Sequence, residues 1–83
     1  MSKIKKLIKK MHANPKDWKL ATLESIATRF DIKIRKSGGS HVVFMHDCSS
    51  IVITVPAKRP IKPIYIQQFL ALLNDIGVQN NEY

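Results

Sequence analysis

The stretch that decides the fold runs from residue 32 to residue 56: IKIRKSGGSHVVFMHDCSSIVITVP. Ile32 and Ile34 alternate with Lys33 and Arg35, the period of two that marks a strand with one buried face. Ser37-Gly38-Gly39-Ser40 then supplies a turn. His41-Val42-Val43-Phe44-Met45 is β-branched and aromatic, which suits a second strand. After the turn HDCSS, Ile51 to Val55 form a third strand, with Ile51, Ile53 and Val55 on one face. Connections this short predict an antiparallel meander. Alternation also orients the second strand. If Val42 and Phe44 enter the core, His41, Val43 and Met45 face away from it, so the imidazole stands at the strand's first position in solvent.

Helical spacing flanks this sheet on both sides. Upstream, Leu23, Ile26, Ala27 and Phe30 share a face, which predicts a helix over about residues 22–30 with Thr22 as its N-cap. Trp18 is placed to pack against its start. Further upstream, ANPKDW breaks the chain, because a residue before proline avoids the α region. Ile4, Leu7, Ile8 and Met11 precede that break at helical spacing, among Lys3, Lys5, Lys6, Lys9 and Lys10. They predict a short amphipathic helix, packed on the domain by its apolar stripe, with a cationic back. Downstream, PAKRPIKP holds three prolines and three cations and reads as a stiff, exposed connector. Pro63 suits the first turn of a last helix, where its missing N–H costs nothing. Ile66, Phe69, Leu70, Leu73 and Ile76 are that helix's stripe, and Gly77 falls at the C′ position.

These elements predict a single α+β domain over residues 1–83: a basic extension (1–18), a core (19–77) and a frayed tail (78–83). The expected architecture has two layers, a three-stranded antiparallel sheet with helices on one face. A chain of this size buries only about 60% of its unfolded surface, so each large apolar residue counts.

Fourteen Lys and Arg stand against six Asp and Glu, a formal charge of +8. Such a balance favours a polyanionic partner. Cys48 is the one cysteine, so no internal disulfide forms, and no Cys/His spacing resembles a zinc site. The expectation is a protein of the reducing cytosol that needs no metal or cofactor. MSKIKKLIKKMH is basic, but no continuous apolar stretch follows it, so it does not read as a secretory signal or a membrane segment.

The chemistry concentrates around His41. Arg35 and Lys36 lie across the turn from it, and Lys58, Arg59 and Lys62 lie on the connector after the third strand. Gly38 and Gly39 let a ligand backbone approach, and Ser40 either positions a phosphate or caps the turn. An imidazole is suited to proton transfer at cellular pH. RNA carries its own nucleophile, the 2′-OH, which attacks the adjacent phosphorus once it loses its proton. The cations then hold the phosphate and offset the charge of the transition state. DNA lacks that hydroxyl, so this chemistry selects RNA. Other candidates read as structural. His12 sits at a helix C-terminus, where a positive charge is favourable. His46 reads as a turn residue beside Asp47, and Cys48 lacks a foreseeable histidine partner. Tyr65 and Trp18 are able to stack on bases but are first of all packing residues.

At GGSHVVF, followed by ITVPAKRPIKP, the chain resembles the HicA family of toxin mRNA interferases from type II toxin–antitoxin systems. Gly39-Ser40-His41 carries the resemblance, and Val55-Pro56 matches the end of the family's third strand. The resemblance covers about Leu23 to Gly77. It implies a fold like the double-stranded-RNA-binding domain (α-β-β-β-α), here with an extra N-terminal helix. It also implies a catalytic His41, cleavage of mRNA and neutralisation by a HicB-type antitoxin. Two departures stand out. Val42 occupies the place where many members carry a second histidine, and the segment through Trp18 precedes the point where compact members begin. Two other functions share the charge and the fold: a non-catalytic RNA-binding module, and an interaction protein whose basic face serves an acidic partner.

Overall fold

The computed structural model describes residues 3–57 and 61–77. The predicted tail at 78–83 and the cations Lys58 and Arg59 lie outside those residues. Helix α1 (Lys3–Ala13) and helix α2 (Leu20–Arg29) are followed by strands β1 (Lys33–Ser37), β2 (His41–Met45) and β3 (Val52–Pro56), then by helix α3 (Pro63–Asp75).

The strands form one antiparallel sheet in the order β1-β2-β3. Ile34 opposes Phe44, Phe44 opposes Ile53, and Val42 opposes Val55. Directly opposed residues share a face, so these five line one side of the sheet. Val42, Phe44, Ile53 and Val55 are buried there. α3 packs on β3 and α2 packs on β1 from that side. Phe44 meets Phe69 of α3 edge to face, with centroids 5.3 Å apart, a geometry worth about 0.5–1.5 kcal/mol beyond the area it buries. The opposite face carries Lys33, Arg35, His41, Val43, Met45, Val52 and Thr54, and Val52 is 59% exposed there. This is the α+β arrangement that the alternation of residues 32–56 predicts.

The lysine-rich segment is part of the domain. Ile8 and Met11 are fully buried and α1 lies against α3. The lysines at 5, 6, 9 and 10 stay exposed on the other side of the helix. No described helix is long and apolar enough to cross a membrane.

Three local expectations need correction. α2 starts at Leu20, with Lys19 at the N-cap and no side-chain cap, so Thr22 is inside the first turn and not at its entrance. The cause is tertiary. Leu20 packs on the core, and Trp18 just before it is anchored by a backbone bridge to Ile61 and by its Nε1–H, which donates to the Asn14 carbonyl at 2.6 Å. The connector is not wholly exposed either, because Ile61 is buried in the same core. Finally, the buried arc of α3 includes Leu72 beside the expected stripe. This helix meets both the sheet and α1, so a narrow stripe would leave one contact unfilled. Its ends match expectation: Pro63 occupies the first turn, and Gly77 follows the C-cap Ile76 at φ 97.

Candidate functional site

The site is built at one end of the sheet. Ser37 opposes His41 across the β1–β2 hairpin, and the loop between them carries Gly38 at φ 62 and Gly39 at φ 78. Side chains adopt that region with difficulty, so the backbone itself favours glycine at both positions. A Cβ on either residue would meet nothing within 4 Å. Conformation therefore accounts for both glycines, and crowding does not.

On its other side His41 opposes Pro56 of β3, and the Ala57 N–H donates to the Ser40 carbonyl at 2.9 Å. This bond extends the pairing one step past the strand and fixes Ser40 beside the histidine. Pro56 lacks an N–H, which an edge strand tolerates. The His41 side chain is exposed while Val42 is buried, as alternation requires. Its Nδ1 lies 3.2 Å from Ser40 Oγ. With the ring proton on Nδ1, that nitrogen donates to the hydroxyl and Nε2 is the free base; in the other tautomer the hydroxyl donates to Nδ1.

His41 opens onto a cleft of about 600 Å³. Gly39, Ser40 and His41 form one wall; Pro56, Ala57 and Ile61 form the next; Lys62 and Tyr65 close it at the start of α3. The sheet, the connector and α3 each contribute a side.

The predicted cations separate. Lys62 is exposed and lines the cleft. Arg35 opposes Val43, so it shares the open face with His41, diagonally across the hairpin, and is exposed. Lys36 does not join them. It opposes Val42 on the helix side of the sheet, and its Nζ lies 3.4 Å from Glu24 Oε2 of α2. The strand's period of two sends it to the face opposite His41.

The other reactive side chains have partners or open ground. His46 Nδ1 accepts the Cys48 N–H at 3.0 Å. Asp47 pairs with Lys33 at 2.9 Å, and that hydrogen bond and the lysine's charge hold its carboxyl below the usual carboxylate value. Cys48 is exposed. His12 is exposed at the end of α1, beside a smaller hollow between α1 and α3. Among the described residues, no three His, Cys, Asp or Glu side chains are placed so that they could hold a metal ion together.

Tyr65, Pro56, Ala57 and Ile61 line the cleft without having been predicted there. The sequence holds one sign that could place Tyr65 there. It stands three residues after Lys62 at the start of a helix, close enough to share a side with it. No family model, no curated protein and no solved structure matches the chain.

Proposed function

We propose that this chain is a metal-independent endoribonuclease that cuts mRNA, acting as the toxin of a HicA/HicB-type pair in the cytoplasm and neutralised by a HicB-type antitoxin. One observation carries the reading: an exposed His41, with a hydroxyl on its Nδ1, stands at the mouth of a cleft in a chain of charge +8. The order α-β-β-β-α from α2 to α3 supports a frame like the double-stranded-RNA-binding domain, with α1 added.

In this reading His41 takes the proton of a ribose 2′-OH. The freed oxygen bonds to the adjacent phosphorus as the bond from phosphorus to the 5′-oxygen breaks, and that oxygen leaves with a proton from the imidazolium or from water. Lys62 and Arg35 hold the phosphate, with Lys58 and Arg59 of the connector, while Gly38 and Gly39 shape the hairpin that presents Ser40 and His41. Lys36 contributes charge only from the far side of the sheet. Acid–base catalysis of this kind supplies about 10²–10⁴-fold, so the enzyme is slow unless binding orients the substrate.

The test is cleavage of an end-labelled RNA in EDTA by the purified protein and by His41→Ala. The variant is expected to keep its circular dichroism spectrum and to lose at least about 100-fold in rate. Equal cleavage by the variant would remove the mechanism. RNA binding by the parent without cleavage at any protein excess would make the chain a binding module. Expression in cells is expected to arrest growth, and co-expression of the antitoxin to relieve the arrest.

A further inference from the structure

We infer that the cleft beside His41 is a nucleobase pocket, with Tyr65 as its stacking surface, so that the substrate is a single strand whose nucleotide leaves its stack to be cut. The inference rests on the RNA-cleavage reading and names the form of RNA that reading requires. The first observation is the character of the walls. Phosphates are held by cations and N–H groups, yet Pro56, Ala57, Ile61 and the Tyr65 ring give this cleft mostly apolar sides. Its volume, about 600 Å³, falls in the range of small-molecule sites. A duplex has nothing to put there. It keeps its bases stacked inside and is recognised through sugars and phosphates across its minor groove. An unpaired base has two flat, weakly polar faces, and every base stacks on an aromatic ring.

The second observation is the placing of the groups. Tyr65 is half-buried, packed on the core while lining the cleft, so its ring is braced from behind. Lys62 lies three residues earlier on the same rim, within reach of a phosphate that flanks a bound base. His41 lines the same cleft, so a base seated there brings its own ribose hydroxyl toward the imidazole. The reaction also needs this freedom. Attack by the 2′-oxygen must come in line with the departing 5′-oxygen, an alignment that continuous A-form stacking opposes and an unstacked nucleotide can reach.

The test measures binding apart from cleavage. A 12-nucleotide 2′-fluoro strand cannot attack its own phosphates, and its affinity for the full chain is read by fluorescence anisotropy at fixed salt, alone and annealed to its complement. Charge by itself favours the duplex, which packs its phosphates more densely. The single strand is nevertheless expected to bind about ten-fold tighter, one stacked base's worth. Tyr65→Phe is expected to keep that preference, and Tyr65→Leu to erase it while circular dichroism stays unchanged. A duplex bound as tightly as the single strand, or a folded Tyr65→Leu that binds like the parent, overturns the pocket and leaves the cleavage reading standing. A preserved preference in a protein that does not cut ordinary RNA supports the pocket and removes the nuclease. Absence of binding to either strand overturns both.

Discussion

At one end of β2, His46 Nδ1 accepts the Cys48 N–H, the neighbouring Asp47 pairs with Lys33, and Ser49 donates its hydroxyl hydrogen to Asp75 at the end of α3. At the other end, the His41 ring has one described hydrogen-bond partner, the hydroxyl of Ser40, and it faces a cleft. Both histidines lie beside polar turns in the same hairpin system, five residues apart, and composition alone hardly distinguishes them. The difference lies in where their bonding capacity is used. The 46–49 turn closes on itself and on α3, as a structural turn does. The hairpin turn before His41 is closed by glycine dihedrals and leaves Ser40 and His41 to the cleft.

The widest gap between the two ends is expected in cleavage. His41→Gln should lose about 100-fold or more in rate, whereas His46→Gln should stay within about two-fold, since general acid–base loss applies to one and not the other. Labelled RNA in EDTA measures both. Equal losses would mean that the ring at position 46 also serves the reaction, and the contrast between the turns would collapse.

A smaller effect of the opposite kind is expected at Ser49. Its Oγ also accepts the Ile51 N–H at 3.0 Å, so Ser49→Ala removes two hydrogen bonds that tie the turn to β3 and to α3. Urea unfolding should show a loss of about 1 kcal/mol with cleavage unchanged. The matching variant Ser40→Ala should leave the unfolding midpoint in place and lower the cleavage rate. If stability and activity exchange roles between these two serines, the assignment of the two ends is reversed.

The smallest effect concerns pH. Lys33 lowers the Asp47 pKa in the folded state, so the pair stabilises the fold above the unfolded carboxylate's pKa, and that contribution disappears as pH falls through the folded value. Asp47→Asn should therefore melt slightly below the parent at neutral pH, and the two melting temperatures should converge in acid. Both partners are largely exposed, so added salt should shrink the difference as well.

What could be read from residues 32–56 was whatever depends on a period of two. Burial of Val42 and Phe44, exposure of His41 and the antiparallel order all follow from local pattern. The same rule bore on Lys36, since it alternates with Arg35, but proximity along the chain outweighed it. What was not legible came from contacts between distant segments. The early start of α2 depends on Trp18 meeting Ile61, forty-three positions further on. The burial of Ile61 depends on the same meeting, and a run of prolines and cations gives no sign of it. The cleft needs the β1–β2 hairpin, the end of β3 and the first turn of α3 at once, so Tyr65 becomes a site residue only after folding. A candidate catalytic histidine announces itself by type, whereas Ile61 and Tyr65 are residues of the core, or packed on it, that the cleft sees from outside.

Trp18 is the only tryptophan in the chain, and it is clamped to Ile61, which is itself a wall of the cleft. The protein thus carries its own optical reporter one residue contact from the place where a ligand would sit. A shift in its emission on adding RNA would register occupancy without any attached dye, and its absence in Tyr65→Leu would place the bound base.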